Sequence, residues 1–64
     1  MRIDRIKLIA EMARQEISVK ELSEKAGISR CALSALRGGK SCTENTAQRV
    51  AAALGVTVDD LKED

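Results

Sequence analysis

The chain has no histidine, no proline and no aromatic residue, and only two cysteines, Cys31 and Cys42. Each absence removes a class of protein. Two cysteines are too few for a disulfide scaffold, and without histidine they cannot complete a four-ligand zinc site. The commonest general base is missing, and no Ser or Cys has an evident activating partner. No catalytic residue, metal ligand or cofactor is therefore assigned, and the chain reads as a non-enzyme. No apolar run approaches the roughly 20 residues that a membrane-spanning helix needs. Charge interrupts "MRIDRIKLIAEMARQE" too often for a secretory signal. A soluble, cytoplasmic protein is expected, with one domain over residues 1–64.

Acidic residues are unevenly distributed. Residues 1–58 hold ten Lys or Arg against six Asp or Glu, whereas "DDLKED" holds one against four. Between Glu24 and Glu44 there is no acid at all, although Lys25, Arg30, Arg37 and Lys40 all lie there. A cationic stretch free of carboxylates suits an anionic partner or, equally, a solvated basic face.

Helical periodicity runs through the whole sequence. Ile6, Ile9, Ala10, Ala13 and Ile17 recur at helical spacing, broadened by Leu8 and Met12, and predict an amphipathic helix over about residues 3–15. Ser18 stands three residues before Glu21, the spacing of a reciprocal capping box, so a second helix is expected to start at Val19 and to end near Gly27. Ser29 caps a third helix that stops at Gly38 and Gly39. Thr43 caps a fourth, "ENTAQRVAAAL", and Thr57 with Asp60 predicts one last helical turn or two. The predicted core is Ile6, Ile9, Ala13, Ile17, Leu22, Ala26, Ile28, Leu33, Leu36, Val50, Ala51, Leu54, Val56 and Leu61.

On a helical wheel, residues 29–37 divide sharply. Ala32, Leu33 and Leu36 gather on one side, opposite Arg30, Cys31, Ser34 and Ala35, with Arg37 at the flank. The outward face is small, polar and free of acid, which suits insertion into a major groove. A helix that docks on protein more often presents large apolar anchors, and this face has none.

A short helix, a glycine turn and a second short helix form a helix-turn-helix. From Ile17 to Leu61 the sequence "ISVKELSEKAGISRCALSALRGGKSCTENTAQRVAAALGVTVDDL" resembles the phage Cro and repressor type of helix-turn-helix domain, also called Xre-like. Leu22, the small Ser23, Gly27, Ile28, Leu33, Leu36, "GGK" and "ALGVTVDDL" carry the likeness. The resemblance implies an all-α, lambda-repressor-like bundle of about five short helices that binds double-stranded operator DNA. Helix two would span about residues 19–25 and the recognition helix about 29–37. It places Arg30, Cys31 and Ala35 at base-facing sites, with Ser34 a lesser candidate. Arg30 suits a bidentate contact to guanine, and Ala35 suits a thymine methyl. Phosphate contacts would come from Ser18, Val19, Lys20, Ser29, Arg37, Gly38, Lys40, Ser41 and Thr43, since free amides at helix starts attract anions.

Two positions depart from the family pattern. A glycine is usual just before the position of Ile17, where this chain has Gln15 and Glu16, so a tight or strained end to helix one is expected. Where many relatives have Glu, paired to an Arg on helix one at the place held here by Ala10 or Met12, this chain has Arg37, and the internal ion pair is absent. Cys31 reads either as a small neutral side chain against a base or as a thiol activated at a helix start. A Cys31–Cys42 bridge and two free thiols are the alternatives the sequence leaves open.

The functional expectation is a transcriptional regulator, a repressor, with homodimerisation on a two-half-site operator as a further option and no small-molecule ligand. Val56, Val58 and Leu61 either form the dimer contact or finish the core. The competing expectation is a protein-interaction module, antitoxin-like or an assembly adaptor.

Overall fold

The computed structural model describes residues 1–63. Its elements are α1 (Arg5–Arg14), α2 (Val19–Ala26), α3 (Arg30–Arg37), α4 (Glu44–Leu54) and a 3₁₀ turn (Val58–Asp60) in place of a fifth α-helix. Among the described residues there is no strand, only two isolated β-bridges, Arg2 to Ser41 and Ile3 to Lys62. No described helix is long and apolar enough to cross a membrane.

Helix starts follow side-chain chemistry. Ser18, Ser29 and Thr43 each accept a bond from the amide three residues on, and Asp4 does the same for α1 through the Ile6 and Lys7 amides. The capping box expected at Ser18 is only half formed, because Glu21 accepts from the Ser18 hydroxyl at 3.3 Å instead of from its backbone. At Thr57 and Asp60 both halves are present.

All four α-helices end in the same way. The Glu16, Gly27, Gly39 and Gly55 amides reach back three residues to Ala13, Glu24, Leu36 and Ala52, and the next amide reaches back five, to Met12, Ser23, Ala35 and Ala51. This closure requires a left-handed residue. Three helices use glycine for it, whereas α1 uses Glu16 at φ 53°. The strain expected there from sequence is located at that residue. A side chain in this region costs roughly 1–2 kcal/mol, part of which glycine returns as extra unfolded-state freedom. Glu16→Gly is therefore expected to stabilise the domain by about 1 kcal/mol, raising Tm by about 5 °C; an unchanged or lower Tm would refute the strain.

The core is aliphatic. Leu22, Leu33, Leu36, Val50, Ala51, Leu54 and Leu61 are buried as predicted, together with Ile17 and Ala26, while Ile28 and Val56 pack on the core half-exposed. Helix α2 packs chiefly on α4, and α1 packs on α3. The buried residues of α2 and α4 include Ser23, Ala26, Ala47 and Ala51, and small side chains let neighbouring helices approach closely. The buried Ser23 hydroxyl donates to the Lys20 carbonyl at 2.8 Å.

The first helix departs from its predicted register. Ile6 and Ile9 are 67% and 41% exposed, and Ala10 and Ala13 are exposed as well. Leu8 and Met12 are buried instead, with Ile3 just before the helix. Helix α1 has two apolar stripes, and the chain ends select between them. Residues 1–4 lie in a clasp: the Asp4 amide donates to the Leu61 carbonyl at 2.7 Å, the Glu63 amide to Arg2 at 3.0 Å and the Cys42 amide to Met1 at 2.8 Å. At the other end of α1 the Gln15 amide side chain donates to the Leu54 carbonyl at 2.7 Å. Both anchors hold the Leu8 and Met12 stripe inward. Ile3 and Ala47, absent from the predicted core, are buried by the same packing.

Candidate nucleic-acid interface

Helix α3 is eight residues long, about 12 Å at 1.5 Å per residue. Leu33 and Leu36 hold it to the core, with Ala32 half-buried between them and the surface. Arg30, Cys31, Ser34 and Arg37 are exposed, so four of the side chains predicted to face outward or to the flank do so. Ala35 is half-buried, nearer the core boundary than the wheel places it. Among the described residues neither Arg30 nor Arg37 has a carboxylate within ion-pair distance. The guanidinium groups are thus available to an outside anion.

Most of the predicted phosphate contacts fall into two groups. Ser18, Val19 and Arg37 meet at a groove of about 400 Å³ between the end of α1, the start of α2 and the end of α3, walled also by Ile9, Met12, Ala13, Glu16 and Ile17. At the start of α2, where Val19 lines this groove and Lys20 follows it, the Val19 and Lys20 amides have no acceptor among the described residues, since Ser18 takes only the Glu21 amide. Such amides, at the positive end of a helix dipole, suit a phosphate oxygen. The second group is Gly38, Lys40 and Ser41 in the turn between α3 and α4, all exposed. Ser29 and Thr43 stand apart as exposed caps of α3 and α4.

Two cations missed by sequence reasoning join the second group. Arg2 donates to the Gly39 carbonyl at 3.0 Å. The Arg5 Cδ lies 3.8 Å from where a Cβ on Gly39 would stand. No local pattern signals this, because the partners lie more than thirty residues away in sequence and meet only through the terminal clasp.

The two cysteines are free thiols in different surroundings. Cys31 is exposed on α3, whereas Cys42 is half-buried behind the clasp, and burial pushes the Cys42 thiol up from its ordinary value. Elsewhere on the surface the Arg14 guanidinium, followed by the Gln15 amide, holds the Glu11 carboxyl below the usual range. Arg14 is exposed and Glu11 half-buried, and the pair lies within α1. Among the described residues no cluster of Cys, Asp or Glu could hold a metal ion.

The family model of the Cro/C1-type HTH DNA-binding domain matches residues 7–64. The chain belongs to this family. Its Cro/C1-type fold also superimposes on larger solved structures. A mutant of hydroxyethylphosphonate dioxygenase matches at 30% identity with a TM-score of 0.89. Native PhpD with cadmium matches at 28% with 0.86, and PhpD with cadmium complexed with hydroethylphosphonate at 28% with 0.85. Each match covers all of this chain but 14% of the other. No match is found among curated proteins. In this Cro/C1-type domain, residues 1–6, which supply Arg2, Arg5 and the clasp, precede the matched span.

Proposed function

We propose that this Cro/C1-type domain is a sequence-specific transcriptional regulator, a cytoplasmic repressor that inserts α3 into the major groove of double-stranded DNA. Arg30 contacts a guanine through two hydrogen bonds, while Cys31, Ser34 and Ala35 fit against neighbouring base edges. Ser18, Val19, Lys20, Ser29, Arg37, Gly38, Lys40, Ser41 and Thr43 hold the backbone and set the register. Residues 1–64 act as one binding unit without catalytic residue, metal or cofactor, and two copies occupy half-sites about one helical turn apart. The supporting observation is that α3 presents Arg30, Cys31, Ser34 and Arg37 to solvent without an ion-paired acid among the described residues. Leu61 is fully buried, so its predicted option as a dimer contact gives way to a place in the core.

The test is salt dependence. For a duplex ligand, log affinity falls linearly with log salt by about 0.9 per phosphate contacted. A shallow dependence would overturn the reading and favour the second one, a protein-interaction module. A specific observation supports that alternative: Ile6 and Ile9 are exposed large apolar side chains on α1, Ile9 lining the groove, and the solved neighbours carry this fold within much longer chains.

A further inference from the structure

The clasp gathers cations around the turn that follows α3. Arg2 is tied to the Gly39 carbonyl at 3.0 Å, Arg5 reaches over Gly39, and Ser41 is bridged to Arg2. Lys40 stands in sequence between Gly39 and Ser41 and is exposed, as are Arg2 and Arg5. Among the described residues, Asp4 and Glu63 are the carboxylates that bear on this patch. Asp4 is occupied as the cap of α1, accepting the Ile6 amide at 2.9 Å and the Lys7 amide at 3.4 Å. Glu63 lies 3.7 Å from the Arg2 Nε, and both side chains are about half-exposed.

We propose that Arg2, Arg5 and Lys40 form a second phosphate-binding patch, which grips the nucleic-acid backbone beside the segment read by α3, and that Glu63 is the internal anion which a phosphate displaces from Arg2. The patch rests on the duplex-binding reading above and adds two residues that precede the family match. Its chemistry is backbone-directed. Arg guanidinium groups match phosphate oxygens in a fork geometry, and an exposed carboxylate 3.7 Å away is weakly held enough to be exchanged.

Opposite charge changes at two positions test this. Binding of a random-sequence duplex is measured across a salt series for the wild type, Arg5→Ala and Glu63→Gln, with thermal melts showing that each variant is folded. Arg5→Ala should lower the slope by about 0.9, equivalent to about eightfold weaker binding at 0.1 M salt relative to the 1 M limit, with base preferences unchanged. Glu63→Gln should bind several-fold more tightly, an effect that mere loosening of the clasp would not produce. A steep wild-type slope left unchanged by Arg5→Ala, or weaker binding by Glu63→Gln, overturns the patch alone. A flat wild-type slope overturns the duplex reading and the patch with it.

Discussion

Leu8→Ala is expected to lower the unfolding free energy by about 2–5 kcal/mol, whereas Ile6→Ala, two residues earlier on the same helix, should change it by no more than about 0.5 kcal/mol. Both are large aliphatic side chains on α1, and hydrophobicity alone does not separate them. Leu8 is fully buried and Ile6 is 67% exposed. Truncating Leu8 removes apolar contacts and leaves a cavity, while truncating Ile6 removes surface that already meets water. A chain of 64 residues has a total stability of only about 3–10 kcal/mol, so Leu8→Ala could unfold much of the population at ambient temperature. Leu8→Val reports the same site in a smaller step. Urea titrations with unchanged m-values give both differences, and similar losses at the two positions would refute the register of α1.

Arg30→Ala is expected to erase preference at one base pair of each half-site, a loss of about 1–3 kcal/mol of discrimination. Lys40→Ala should weaken binding to every duplex alike and reduce the salt slope by about 0.9. The contrast follows from geometry. Arg30 is in the first turn of α3, exposed and without an ion partner among the described residues, whereas Lys40 lies in the turn beyond the helix. A planar guanidinium distinguishes guanine by its paired acceptors, but a phosphate is the same beside every base. Selection from a random duplex pool with wild type and both variants checks this. Equal losses across all sequences for both substitutions would remove Arg30 from the base-reading role.

Arg37 flanks the carboxylate-free face of α3 and is exposed. Here Met12 is buried, and Arg37 has no ion pair among the described residues. Its charge adds to the field around the groove at the α2 N-terminus instead of being consumed internally.

Local chemistry alone determined the four α-helices, the residues that cap their starts from Ser18 on, and the outward side of Arg30, Cys31 and Ser34 on α3. A serine or threonine three residues before the amide it caps, and a glycine where a helix must close left-handed, are interactions within one turn of chain. The same holds for the strain at Glu16, legible because a left-handed closure was needed where no glycine stood. Leu33 and Leu36 offered α3 only one apolar side, so its orientation was not in question. Helix α1 was different, since Ile6 with Ile9 and Leu8 with Met12 offered two apolar stripes of comparable strength. Only the tertiary structure chose between them, through backbone bonds from residues 1–4 to residues 42, 61 and 63. The same long-range bonds buried Ile3 and carried Arg2 and Arg5 to Gly39. Contacts across such separations depend on where the whole chain packs, and no periodicity within a short window encodes them.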